Sequence, residues 1–193
     1  TLHAGELVLG LVPPKHLGWH IRDAIFEAGA SRIGHGIDIM HDKEVSVLLD
    51  YMAENEILVE INLTSNEVIL EVSGKDHPLN IYMENSVPIA LSTDDEGVSR
   101  IDLTHEYQKA VETFDISYKT LKTLSRNSLQ YSFLEGESIF LDTSSGILVK
   151  PCKDYEPENK MSESCSSFLA NNEKAFTQIE LERRFMKFED TFN

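Results

Sequence analysis

Val87-Pro88-Ile89-Ala90-Leu91 runs directly into Ser92-Thr93-Asp94-Asp95. A short apolar stretch that ends in a burst of polar residues reads as a buried strand carrying functional groups at its exit. The same pattern recurs upstream. Ile57 to Leu63 is a strongly apolar, β-branched strand followed by Thr64-Ser65-Asn66. Ser31 to Gly34 is a short strand leading into His35 and Gly36, and the chain opens on Thr1-Leu2-His3-Ala4-Gly5-Glu6. Helical segments fill the intervals. His16 to Ala28 places Leu17, His20, Ile21, Ala24, Ile25 and Ala28 on one face and stops at Gly29. Asp42 to Asn55 has Asp42 as a cap and Val45, Leu48, Leu49 and Met52 as its buried stripe. His77 to Asn85 starts after Asp76 with Pro78 in its first turn. Thr104 to Phe114 and Ser117 to Ser128 follow the last strand.

This beat of strand, polar exit and helix implies an α/β fold with parallel strands, whose C-terminal ends converge on one face. It covers about half of a (β/α)8 barrel, for which roughly 250 residues are typical. Four strands do not close such a barrel, and they leave two open edges. A small, open, doubly wound sheet is equally compatible with the spacing.

The 193 residues carry a formal net charge of -16, which opposes binding to a nucleic-acid backbone or an anionic membrane surface. Hydrophobic content of 41% suffices for a packed core, and no apolar run is long enough to span a bilayer. Composition shifts after about Gly146, dividing the chain into a domain over 1–146 and a tail over 147–193. Lys150 to Ser167, rich in Ser, Glu, Lys, Pro and Asn, reads as a linker or mobile loop. Asn172 to Phe192 reads as an amphipathic helix packed on the outside. Cys152 and Cys165 are the two cysteines, read either as free thiols or as one bridge within the tail. The chain starts inside its first polar cluster, so part of the site is expected to lie outside it. The compartment is unknown, with the cytoplasm favoured over secretion.

The polar exits hold an inventory suited to metal-assisted hydrolysis: His3, Glu6, His35, Asp94 and Asp95. Each has a plain alternative. His3 suits a metal or a structural role, and Glu6 a desolvated proton donor or a cap. His35 lies between Gly34 and Gly36, which suits either the close approach of a ligand or a tight turn. Asp94 and Asp95 diverge at a strand exit, so one can take a metal while the other meets substrate; an acidic helix start is the alternative. His16 and His20 have the four-residue spacing of a metal pair on one helix, without the Glu of an H-E-x-x-H motif. His77 before Pro78 reads as helix-entry chemistry.

His3-Ala4-Gly5-Glu6, Arg32-Ile33-Gly34-His35-Gly36, Asn62-Leu63-Thr64-Ser65-Asn66 and Ser92-Thr93-Asp94-Asp95 together resemble, in order and spacing, the signature blocks of the adenosine deaminase family. Leu121 to Leu134 is more similar to the adenosine deaminase-related growth factor branch. The resemblance covers roughly residues 1 to 140. It implies the C-terminal half of a TIM (β/α)8 barrel, here with an additional C-terminal helix, and one Zn2+ at the strand ends. By position it implies His3 and Asp94 as zinc ligands and Glu6 as the acid that protonates a purine ring nitrogen. His35 would orient and deprotonate the attacking water, while Asp95 and Gly5 would contact the substrate. The implied reaction is hydrolytic deamination of adenosine, or a related aminopurine nucleoside, to inosine and ammonia.

Two departures matter. The family carries two further zinc histidines in an H-x-H block, and this sequence contains none, so those ligands are expected upstream. Glu96 also stands where many relatives have proline, which loosens the preference for adenosine. Two ligands are too few for a catalytic zinc site, so the chain alone is expected to be inactive. It would need its missing N-terminal half or a second copy. Another metal-dependent amidohydrolase and a non-catalytic dimerising half-barrel are the competing readings.

Overall fold

In the computed structural model, four parallel strands form one sheet in the order β1 (Leu2–Ala4), β2 (Arg32–His35), β3 (Leu58–Ile61) and β4 (Ile89–Leu91). The structure describes residues 1–156 and 161–192. Every strand pairs with its successor in sequence: Ala4 lies opposite His35, Gly34 opposite Glu60, and Ile61 opposite Leu91. A doubly wound sheet reverses its strand order at a switch point, whereas a barrel adds strands in sequence. The observed order is therefore that of a barrel arc and excludes the open-sheet alternative.

The core follows from the strands' composition. Ile33, Leu58, Val59 and Ile61 are fully buried, as expected where helices cover a parallel sheet. Leu48 and Met52 of α2 (Val45–Glu54) and Leu79 and Tyr82 of α4 (Leu79–Glu84) are likewise fully buried. Among the described residues, β1 and β4 each pair with one strand only.

Helix α1 (His20–Phe26) is shorter than the sequence pattern implies. A separate short helical turn covers Pro14–His16, and Gly18 breaks the two apart. Gly18 has φ +77°, and a Cβ there would lie 2.0 Å from the carbonyl oxygen of His41. That tertiary approach, invisible to periodicity, separates His16 from His20, so they do not form a pair on one helix. Asp42 also departs from expectation. Its carboxylate accepts hydrogen bonds from Arg22 at 2.9 and 2.7 Å and from the Glu44 N–H at 2.8 Å, rather than serving as the terminal cap of α2.

Burial opposes the Asp42 charge, but the Arg22 and Glu44 hydrogen bonds outweigh it and hold the carboxyl below its ordinary range. The sign follows directly. The contribution is complete above the unfolded value of about 4 and is lost as pH falls through the lower folded value. Asp42→Asn is expected to cost about 2 kcal/mol at neutral pH, and the deficit relative to wild type should shrink in denaturant melts at acid pH.

The remaining helices of the first unit, Thr1–Leu121, are α3 (Leu63–Leu70), α5 (Glu96–Ser99) and α6 (Leu103–Phe114). Helix α3 begins at Leu63, the last residue of the expected strand, and takes in its polar exit. The buried carboxylate of Glu106, from α6, accepts the Thr64 N–H at 3.2 and 3.3 Å and so stabilises the positive end of α3.

The second unit, Lys122–Asn193, begins within α7 (Tyr118–Gln130). It contains a hairpin of β5 (Phe140–Asp142) and β6 (Ile147–Leu148), then α8 (Glu163–Ala170) and α9 (Glu173–Glu189). The compositional shift near Gly146 falls inside this unit. Within the expected linker, Ser162 caps α8 by accepting the Cys165 N–H, and residues 157–160 lie outside the described residues. Cys152 and Cys165 are joined by a disulfide and sit in a small core with Ile139, Phe140, Leu169, Ala175 and Ile179. Arg126 binds Glu182 through two hydrogen bonds of 2.8 Å. Replacing both cysteines by Ser is expected to destabilise this unit by about 3 kcal/mol, given the short loop that the bridge closes, as read by limited proteolysis or differential melting.

Candidate metal and proton-transfer site

The strand exits assemble the polar groups. His3 lies within β1, Glu6 two residues past its end, His35 at the last position of β2, and Asp94 three residues past β4. The rings of His3 and His35 are 4.9 Å apart between centroids. His3, His35 and Asp94 each bring one potential ligand atom into a group spanning no more than 4.8 Å. The Nε2 of His35 is 3.6 Å from Glu6 Oε2 and 3.9 Å from Asp94 Oδ2, too far for hydrogen bonds. It is buried and has no hydrogen-bond partner among the described residues. Such an orphaned polar atom is costly unless something else occupies the space it faces.

The backbone is strained where it presents these groups. His35 has φ +73° and Asp94 φ +53°, left-handed values that cost non-glycine residues of order 1–3 kcal/mol and cluster at functional sites. Gly36 continues the turn at φ +63°; a Cβ there would lie 2.5 Å from Tyr82 Oη, whose hydroxyl donates to the Gly36 carbonyl. Burial lowers the pKa of His35, against the upward pull of the Glu6 and Asp94 carboxylates. Asp94 is anchored by the Ser65 hydroxyl, which donates to its Oδ2 at 2.7 Å.

Two other expected site residues stand apart from this group. The carbonyl of Gly5 accepts from the Ile37 and Asp38 N–H groups at 2.9 and 3.0 Å, tying the β1 exit to the β2 exit. Asp95 is exposed at the start of α5, and its side chain makes no capping hydrogen bond. The block Asn62 to Asn66 carried the family resemblance with no individual role for Asn62, Ser65 or Asn66, which here contact His35 and Asp94. His77 does serve at the helix entry, its Nδ1 accepting the Leu79 N–H, and its Nε2 also reaches Asn66. For the three residues of that block the signal was the polar exit of β3.

The donor set is chemically consistent with a cation. Imidazole nitrogen and carboxylate oxygen are the ligands that Zn2+ takes, and the Ser65 contact is the kind of outer hydrogen bond that orients a ligating carboxylate.

Comparison with known proteins agrees with this fold. The family model for adenosine deaminase matches residues 1–139. The adenosine deaminase of Shewanella loihica is 42% identical over 135 residues, covering 69% of this chain and 38% of that protein. The chain thus spans less than half the length of that relative. The N6-methyl-AMP deaminase of Arabidopsis thaliana shares the fold with a TM-score of 0.55 at 30% identity, covering 69% of this chain and 36% of that one. An amidohydrolase from Burkholderia ambifaria, solved with bound Zn, has a TM-score of 0.53 at 18% identity, covers 61% of this chain and 33% of its own, and supports the fold alone. Strand order, strand-exit chemistry and sequence similarity all converge, and the chain belongs to the adenosine deaminase family.

Proposed function

We propose that this chain supplies the later half of the active site of a zinc-dependent deaminase acting on adenosine or a related aminopurine nucleoside. The carrying observation is the convergence of His3, His35, Asp94 and Glu6 at the exits of β1, β2 and β4 around a buried imidazole nitrogen that has no hydrogen-bond partner among the described residues. In this reading His3 and Asp94 hold Zn2+, with the remaining histidine ligands coming from outside the chain. When bound, Zn2+ supplies a Lewis acid that makes water nucleophilic near neutral pH.

The chain's own residues handle position and protons. His35 holds the attacking water. Glu6 delivers a proton to a purine ring nitrogen, which makes the neighbouring carbon electrophilic. Asp95 and the backbone at Gly5 meet the purine. Water oxygen bonds to the amine-bearing carbon, the carbon–nitrogen bond breaks, and the amine leaves as ammonia after gaining a proton. Adenosine thereby becomes inosine.

The terminal places of β1 and β4 in the strand order among the described residues, and the share of the relatives' length, support the reading that a barrel is completed from outside this chain. A polypeptide of these 193 residues is then expected to show no turnover alone. The Cys152–Cys165 disulfide supports an oxidising compartment over the cytoplasm. The test is a panel of adenosine, adenine and N6-methyl-AMP offered to the complete protein, with ammonia release measured. Turnover of an aminopurine supports the proposal; hydrolysis of a non-purine amide instead supports the broader amidohydrolase reading.

A further inference from the structure

A chain of hydrogen bonds runs from a backbone amide to the site, and each link has only one allowed direction. The Leu79 N–H, which can only donate, points at His77 Nδ1 at 3.1 Å. His77 Nδ1 must therefore be a bare acceptor, and the ring proton must sit on Nε2. Burial, with Lys109 adding to it, lowers the pKa of His77 to about 4, so the ring is neutral and has a single tautomer. His77 Nε2 lies 3.1 Å from Asn66 Oδ1 and donates to it. That contact fixes the orientation of the Asn66 amide, because a reversed amide would set two donors against each other. Asn66 Nδ2 consequently donates to His35 Nδ1 at 3.0 Å. The Asn62 Nδ2 approaches the same nitrogen at 3.3 Å. All three side chains, Asn66, His77 and His35, are essentially excluded from solvent.

We infer that His77 and Asn66 are positioning residues: they relay the direction of the Leu79 backbone donor to His35, which is held as the Nε2–H tautomer and meets the reacting centre as a hydrogen-bond donor. Three consequences follow. His35 is separated from the metal ligands, since a protonated Nε2 cannot ligate. The orphaned atom acquires a purpose, as an N–H aimed between Glu6 and Asp94 at an oxygen that a ligand would bring. And of the two roles implied for His35 by family resemblance, orienting a water is retained while accepting its proton is not, because Nδ1 is occupied by donors and Nε2 already carries a hydrogen. A proton leaving the water passes to a carboxylate.

The inference rests on the deaminase reading for its meaning, but its test does not depend on turnover. In the complete protein labelled with 15N-histidine, two-bond and three-bond 1H–15N correlation spectra distinguish the tautomers. Wild type is expected to show His77 and His35 both protonated on Nε2 and bare on Nδ1. Asn66→Asp replaces the donor facing His35 with an acceptor and is expected to place a proton on His35 Nδ1. It should lower kcat about 100-fold with KM within about threefold, the scale of lost outer-layer hydrogen bonds. His77→Gln, which retains a donor toward Asn66, is expected to keep the His35 tautomer and stay within about threefold of wild-type kcat; His77→Leu is expected to lose both. A wild-type spectrum with the His35 proton on Nδ1, or an unchanged tautomer in folded Asn66→Asp, would overturn the relay. The expected spectrum in a protein that deaminates no purine would refute the deaminase reading and leave the relay standing.

Discussion

Glu6→Gln in the complete protein is expected to lower kcat for an aminopurine nucleoside by about a thousandfold while leaving substrate affinity nearly unchanged. Gln matches Glu in shape and can still hydrogen-bond a ring nitrogen, but it cannot transfer a proton. The position of Glu6 makes this a clean test. It lies in the exit of β1, half-buried, with its Oε2 3.6 Å from the buried His35 nitrogen. Metal content should be unaffected, because the substitution leaves His3 and Asp94 in place. Steady-state kinetics with metal analysis on the same samples separates the outcomes: loss of kcat with metal retained supports a proton carrier, whereas equal loss of metal and activity would make Glu6 a ligand.

The second large effect concerns Asp94. Asp94→Ala is expected to remove bound zinc and to reduce turnover by about a thousandfold or more, the scale of Lewis-acid stabilisation worth several kcal/mol. Asp94 is held by Ser65 at 2.7 Å and by a left-handed backbone that no neighbouring carboxylate reproduces; Asp95 is exposed and turned to the start of α5. Asp95→Ala should accordingly retain zinc and raise KM. Elemental analysis after gel filtration distinguishes the two aspartates, and zinc loss confined to Asp95→Ala would reverse their roles.

Much of this architecture was legible from local pattern. Strands β3 and β4 lie in apolar, β-branched runs with polar exits, and β1 and β2 are short stretches that lead into polar clusters, so the four strands and the face on which they converge could be read without coordinates. Strand order could not, because spacing alone fits both a barrel arc and a doubly wound sheet; only the register of Ala4 with His35 and of Ile61 with Leu91 decides it. Failures occurred where tertiary contact overrides propensity. Gly18 interrupts an expected helix because its backbone packs on the His41 carbonyl. The first turn of helix α3 holds Thr64, Ser65 and Asn66, weak helix formers, and is supported by Glu106 more than forty residues away. Helix α8 begins in a stretch whose composition suggests a loop, and the bond from its Cys165 to Cys152 is the bridged one of the two readings that the sequence left open.

The site shows the same division. His3, Glu6, His35 and Asp94 sit at strand exits, a placement that sequence pattern can supply. The residues controlling them come from positions with no periodic relation to one another: Ser65, Asn66 and His77 act on groups that are distant in sequence. Their importance is directional, set by which atom donates, and no residue spacing encodes that.

The central claim is that these strand exits form part of a zinc site for aminopurine deamination. The most direct measurement is the conversion of adenosine to inosine by the complete protein, followed by ultraviolet absorbance before chelation, after chelation, and after Zn2+ is restored. The account predicts turnover that disappears with the metal and returns with Zn2+, and that stays absent in Asp94→Ala throughout. Turnover that persists without metal, or that Asp94→Ala retains, would contradict it.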